Sequence, residues 1–212
     1  MKQVNGWYVP DSDLYFDERR LKPEGFDLAH LNEALKYVRR WNLAVDVGAH
    51  IGTMTKAMAS VFSKVIAIEP ASDVYSCLLR NTDSLPNVTP YKFALGELSG
   101  EVAMRDSVTR PGNTGARYIA KGYGTPMRTL DSMGLEDVGL IKIDVEGAEL
   151  LVVHGGYTTI TKHRPVILIE QKKFKDTEGR VDIPHTAAVG FLAQIGMKQA
   201  ERIKNDIVMI WE

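Results

Sequence analysis

Leu43-Ala-Val-Asp46-Val-Gly48-Ala49-His50-Ile-Gly52 is a short apolar run that ends in an acid and opens into a glycine-spaced turn. Met54, Ala57, Met58, Val61 and Phe62 follow at helical spacing, so the stretch reads as strand, turn, helix. Lys64-Val-Ile-Ala-Ile-Glu69 then reads as a second buried strand, and 72–80 as a second helix. The unit is βαβ, a crossover that is right-handed in nearly all proteins.

Working outward, strands are predicted at 88–95, 101–105, 139–144 and 165–170, with helices at 148–162 and 184–195. Residues 197–202 and 207–211 predict a closing antiparallel pair. Alternating strands and helices mean an α/β, doubly wound, mostly parallel seven-stranded sheet with a C-terminal antiparallel strand pair. Upstream, Leu28, Leu31, Leu35 and Val38 predict a helix from an Asp27 N-cap to about Arg40. Residues 1–25 read as an irregular leader with anchoring aromatics, and 106–126, with six glycines and prolines, as a mobile loop or loose hairpin. One domain is expected over 1–212: leader and first helix to 42, core from 43.

Composition narrows the function classes. The chain has 212 residues, 44% hydrophobic and 25% charged, enough for one substantial core. Its 26 lysines and arginines against 27 acids lack the basic excess of a nucleic-acid binder, so no nucleic-acid partner is expected. The single Cys77 excludes an internal disulfide or a cysteine-rich zinc cluster and fits a cytoplasmic location. No run reaches the ~20 apolar residues that span a bilayer, and 1–10 lacks a signal-peptide core, so no membrane association is expected. The sequence carries no feature that sets an oligomeric state.

Ligands of open α/β sheets bind beyond the carboxyl ends of the strands, where strand order reverses. Asp46, Glu69 and Asp144 should meet there. Gly48 and Gly52 let a ligand approach the first turn, and Glu69 can accept hydrogen bonds from both hydroxyls of a ribose. An adenosine ligand fits. A nicotinamide-binding turn would read G-x-G-x-x-G, with its first glycine where Asp46 stands. An anion there repels a pyrophosphate but attracts an ammonium or a sulfonium, which favours S-adenosylmethionine over a dinucleotide.

The turn 46–52 with Ile68-Glu69-Pro70 resembles the S-adenosylmethionine-binding core of class I methyltransferases. Arg128-Thr-Leu-Asp131, Ile141-Lys-Ile-Asp-Val-Glu-Gly-Ala-Glu149, the stretch 166–170 and Asn113-Thr114-Gly115 resemble the FkbM family of small methyltransferases, best known for O-methylation. That resemblance implies a Rossmann-like fold and a donor held by Asp46, Gly48, Ala49, His50 and Gly52 around its methionine part. It also implies Glu69 on the ribose and Phe93, Ala94 and Leu95 near the adenine; Asp144, by its place at the mouth of the central strand, is read as a further donor contact. The family more often has asparagine where His50 stands.

Methyl transfer needs the acceptor oxygen aligned and its proton removed. Asp144, Glu146 and Glu170, at neighbouring strand ends, are the candidates for catalytic contacts. Glu146 has a competing role as a helix cap, and Glu149 reads as structural. His154 and His185 read as ordinary polar residues, and Lys172, Lys173 and Lys175 as a solvated run. The three carboxylates could hold a divalent metal, but no spacing demands it and a metal-free site is the expectation. The expected activity is O-methylation of a hydroxyl on a small molecule or sugar. The rivals are a non-catalytic donor-binding module, against which the intact donor residues argue, and a nicotinamide-dependent oxidoreductase, against which Asp46 argues.

Overall fold

The computed structural model describes residues 1–26, 28–173 and 184–212, which leaves Asp27 and Lys175 outside the described residues. Its central sheet is built from β1 (Leu43–Val47), β2 (Lys64–Ile68), β3 (Val88–Tyr91), β4 (Val138–Ile143), β5 (Val166–Glu170), β6 (Met197–Ile203) and β7 (Asp206–Trp211). Their order across the sheet is β6-β7-β5-β4-β1-β2-β3. Neighbours from β3 to β5 are parallel, while β7 runs antiparallel to both β5 and β6. Order reverses between β1 and β4, which fixes where a ligand cleft can open.

Alternation along the strands divides the core into two layers. Val45, Val47, Ile66, Ile68, Ile141, Ile143, Ile167 and Ile169 face α4 (Glu149–Gly155), α5 (Tyr157–His163) and α6 (Ala187–Gln194). Ala44, Val65, Leu140, Leu168 and Val208 face α1 (Leu28–Leu35) and α2 (Thr53–Ala59). Ala67 packs with Leu78 of α3 (Ser72–Thr82). β1 and β4 are buried along their whole length, and their sequences are apolar apart from Asp46 and Lys142 for that reason.

Several boundaries differ from the sequence expectation. α1 stops at Leu35 because residues 36–38 tighten into i→i−3 hydrogen bonds. The single helix expected over 148–162 is two helices meeting at Gly156, where a Cβ would stand 2.8 Å from Leu130 Cδ2. The strand expected at 88–95 breaks, and Ala94–Leu95 pairs instead with Tyr118–Arg128 in a separate three-stranded sheet completed by Gly100–Arg105. The glycine-rich segment is therefore half strand, with a register shift at Val102/Ala103. The leader is not irregular throughout: Lys2–Val4 pairs with Trp7–Val9 about an Asn5-Gly6 turn with both φ positive, 49° and 86°.

Candidate active site

The first turn is pressed against the end of β4. Gly48 and Ala49 both donate to Ile68 O at 3.0 Å, and Gly48 has φ +77°. A Cβ there would lie 1.8 Å from Asp144 O, so no other residue fits. Gly52 answers to packing: its Cβ would meet Leu78 Cδ1 at 2.7 Å, and it does not line the cleft, contrary to its expected place beside a ligand.

The cleft has a volume of about 330 Å³, within the range of small-molecule sites, and lies at the carboxyl ends of β1, β2, β4 and β5. Gly48, Ala49, His50, Glu69, Phe93, Ala94, Leu95, Asp144, Glu146 and Glu170 all line it. Glu69 accepts from His50 N at 3.0 Å and from Ala71 N at 2.8 Å, one bond to each oxygen. Burial pushes its carboxyl up to about 7, against the pull of those two amides. Each carboxylate oxygen has a second lone pair, so Glu69 retains acceptor capacity toward the cleft.

His50 adopts φ +51°, and its Nε2 lies 2.9 Å from Thr114 Oγ1. That hydroxyl is 2.5 Å from Asp13 Oδ2 and donates to it, so its oxygen accepts from His50 Nε2–H. Burial pushes the imidazole down to about 4, which keeps it neutral near pH 7. Asp13, fully buried, also accepts from Tyr15 N, Phe16 N and Thr114 N. The leader and the segment around Thr114 are thereby tied together beside the turn that holds His50.

Asp46 is placed differently from its expected contact with a cation of the ligand. It is fully buried and outside the cleft; Thr55 Oγ1 donates to its Oδ2 at 2.6 Å. Register sets it opposite Lys142, whose Nζ lies 3.4 Å from Asp46 Oδ1 and donates to Gly48 O at 2.7 Å. Burial disfavours the Lys142 ammonium, but Asp46 and Asp144 overcome this and hold it above the usual lysine range. The cation that Asp46 meets is the protein's own. A lysine in an otherwise apolar buried strand was the signal for it in the sequence.

Asp144, Glu146 and Glu170 do converge, with carboxylate oxygens within 4.8 Å of one another. Glu146, at φ +55°, turns its oxygens to Arg110 Nη2 at 2.6 Å and Lys172 Nζ at 3.0 Å. Glu149 serves the loop instead, accepting from Val145 N and Gly147 N. Lys172 Nζ is also 3.3 Å from Glu170, so this lysine belongs to the cleft and not to a solvated run. Burial, then Asp144 and Glu146, drive the Glu170 carboxyl well above the usual range, and its Oε2 is buried with no hydrogen-bond partner among the described residues. The all-oxygen set suits a hard cation chemically. Any such ion would have to compete with Arg110 and Lys172.

Two cleft residues carry no local sequence signal. His30 on α1 bonds through Nδ1 to Asp206 at the start of β7, across 176 residues, and both line the cleft. By contrast His154 packs on Phe191, with ring centroids 4.6 Å apart, outside the cleft, and His185 is solvent-exposed.

This sheet order with a cleft at the reversal defines the class I S-adenosylmethionine-dependent methyltransferase fold. The sequence matches the methyltransferase FkbM domain over residues 46–196, and the chain belongs to that family. Among solved structures it is similar to the methyltransferase FkbM from Methylobacillus flagellatus KT, at 19% identity and a TM-score of 0.52, covering 97% of this chain and 48% of that one. The chain thus spans about half the length of that relative. It is also similar to a precorrin 8W decarboxylase from Methanobacterium thermoautotrophicum, at 15% identity and a TM-score of 0.52, covering 96% and 98% of the two chains. An rRNA methylase from Streptococcus thermophilus matches at 11% identity and 0.52, covering 87% and 94%. These likenesses are of fold. No curated protein matches the sequence significantly. No helix among the described residues is long and apolar enough to cross a membrane.

Proposed function

We propose that the protein transfers a methyl group from S-adenosylmethionine to a hydroxyl of a small molecule or sugar. The observation that carries the donor half is Glu69, a buried carboxylate at the end of β2 beside the Gly48 turn, facing a cleft at the point of strand reversal. Glu69 would accept from the ribose hydroxyls, the Gly48-Ala49-His50 turn would border the methionine part, and Phe93, Ala94 and Leu95 would pack on the adenine. Asp144 borders the same turn from β4 and is the further donor contact. The donor supplies a methyl carbon activated on a sulfonium.

The residues of the chain supply position and a screened, charged floor. Lys142 fixes the Gly48 carbonyl, and Arg110 and Lys172 hold Glu146 and Glu170 at the acceptor side. These carboxylates remain the candidates for contact with the acceptor. Calorimetry with S-adenosylmethionine and S-adenosylhomocysteine tests the donor: micromolar binding is expected, and no heat with either ligand refutes it. A panel of phenols, sugars and glycans, scored by release of S-adenosylhomocysteine, tests the acceptor class. Binding without turnover on the whole panel would favour the non-catalytic module.

A further inference from the structure

Sheet order separates the two ends of the cleft. Glu170, at the end of β5, stands three strands from β2 and Glu69, roughly 14 Å at the usual strand spacing, so the ribose end and the Glu170 end lie apart. At the second end Arg110 and Lys172 both turn to one carboxylate, Glu146, at 2.6 and 3.0 Å. Lys172 also lies 3.3 Å from Glu170, whose carboxyl is driven well above the usual range by burial and by Asp144 and Glu146, so it offsets little positive charge near neutral pH. Asp144 lies toward the Gly48 turn and has Lys142 at 3.9 Å. Arg110 is 31% exposed and lines the cleft. Its guanidinium carries five N–H donors, of which the described residues take one, Nη2–H to Glu146. A guanidinium anchored at one corner keeps a planar fork that matches a carboxylate or a phosphate through two parallel hydrogen bonds.

We infer that the methyl acceptor carries an anionic group, a carboxylate or a phosphate, and that Arg110 is the specificity-determining residue that binds it. The inference rests on the methyl-transfer reading above and names the acceptor class within it. Glu146 holds the guanidinium in place, and Lys172 neutralises Glu146 and so lowers its repulsion of the incoming anion. The sulfonium of the donor adds to the attraction, because an anionic acceptor and a cationic methyl carrier draw together in a cleft shielded from water. The donor has a carboxylate of its own, but its methionine part belongs to the Gly48 turn on β1, two strands from Glu170 on β5.

Calorimetry and ligand-observed nuclear magnetic resonance on the full chain loaded with S-adenosylhomocysteine test this with matched probes: para-hydroxybenzyl alcohol against para-hydroxybenzoate and para-hydroxyphenyl phosphate, and glucose against glucuronate and glucose phosphate. In at least one set an anionic member should bind about 10- to 100-fold more tightly than the neutral one, the range of hydrogen bonds to a charged group, and the headgroup that gains more identifies the anion. R110M should erase that preference and leave the affinity for S-adenosylhomocysteine within about threefold of the parent's. R110K keeps a cation on Glu146 and loses the fork, and it should lower the preference by about threefold or more. Neutral and anionic members bound alike, no anionic member bound at about 10 mM, or a preference that survives both variants overturns the proposal. Loss of S-adenosylhomocysteine affinity in both variants assigns Arg110 to the donor's own carboxylate and overturns it as well; where R110M alone loses that affinity, R110K decides. Absent binding of S-adenosylhomocysteine to the parent protein defeats the methyl-transfer reading itself, whereas intact binding confines any failure to the role of Arg110.

Discussion

A methyl group on Gly48 would have to share space with Asp144 O, 1.8 Å away, on a backbone at φ +77°. Neither term relaxes, because β1 and β4 are paired on both sides of the turn. Gly48→Ala should therefore cost more than about 3 kcal/mol, from strain and overpacking together. Urea unfolding would show it as a lowered midpoint; a midpoint near the parent's would mean that the turn can move. Glu69 makes a prediction about binding. Its carboxyl titrates near 7, and ribose hydroxyls favour the ionised form, so binding should release a proton below that pH. Donor affinity should rise up to about tenfold per pH unit below 7 and level off above it. Glu69→Gln should lose about 10- to 100-fold in affinity, the worth of hydrogen bonds to a charged group, together with the pH dependence. Calorimetry in two buffers of different ionisation enthalpy measures both. Asp46 shows where reading residue types stops: the carboxylate does attract a cation, but the sequence alone did not place Lys142 beside it.

Among the elements, legibility follows burial and sequence separation. Leu43–Val47 was readable to its last residue because both faces are buried and the run has no polar interruption before Asp46. Tyr118–Arg128 was not, since its glycines and Pro126 read as a loop while only its tertiary pairing with Gly100–Arg105 makes it a strand. The glycine turn after β1 was legible because it is contiguous, whereas His30 and Asp206 meet only through the packing of α1 on the closing strand pair. The tie between leader and loop is another such contact, and Asp13 is its centre. Burial raises its carboxyl, but the amides of Phe16 and Thr114 and the Thr114 hydroxyl outweigh this and hold it below the usual range. Asp13→Ala should cost about 2–3 kcal/mol for hydrogen bonds lost from a charged group, and limited proteolysis should cut faster within 106–117. Unchanged cleavage would show that the loop is held by other contacts.

For the whole molecule, the placement of the carboxylates at one end of the sheet sets how stability responds to pH. Glu69 and Glu149 are each raised to about 7 by burial, and Glu170 is raised further by burial with Asp144 and Glu146 beside it. In the pH range between their unfolded and folded values the native state holds more protons than the unfolded chain, so their contribution is present at acid pH and lost as pH rises. His50, lowered to about 4, acts the other way, and its contribution is complete above about 6.5. The raised carboxyls outweigh the one lowered histidine, so the ligand-free protein should lose on the order of 7 kcal/mol between about pH 5 and 8. Denaturant unfolding across that range checks the slope. S-adenosylhomocysteine at a fixed concentration, 100 times its dissociation constant at pH 8, should add about 2.7 kcal/mol there and less at pH 5, where Glu69 must first lose its proton. A stability profile that rises from pH 5 to 8 would mean that these carboxyls are solvated in the native protein, and the enclosed cleft that gives Glu69 its acceptor role would then be absent.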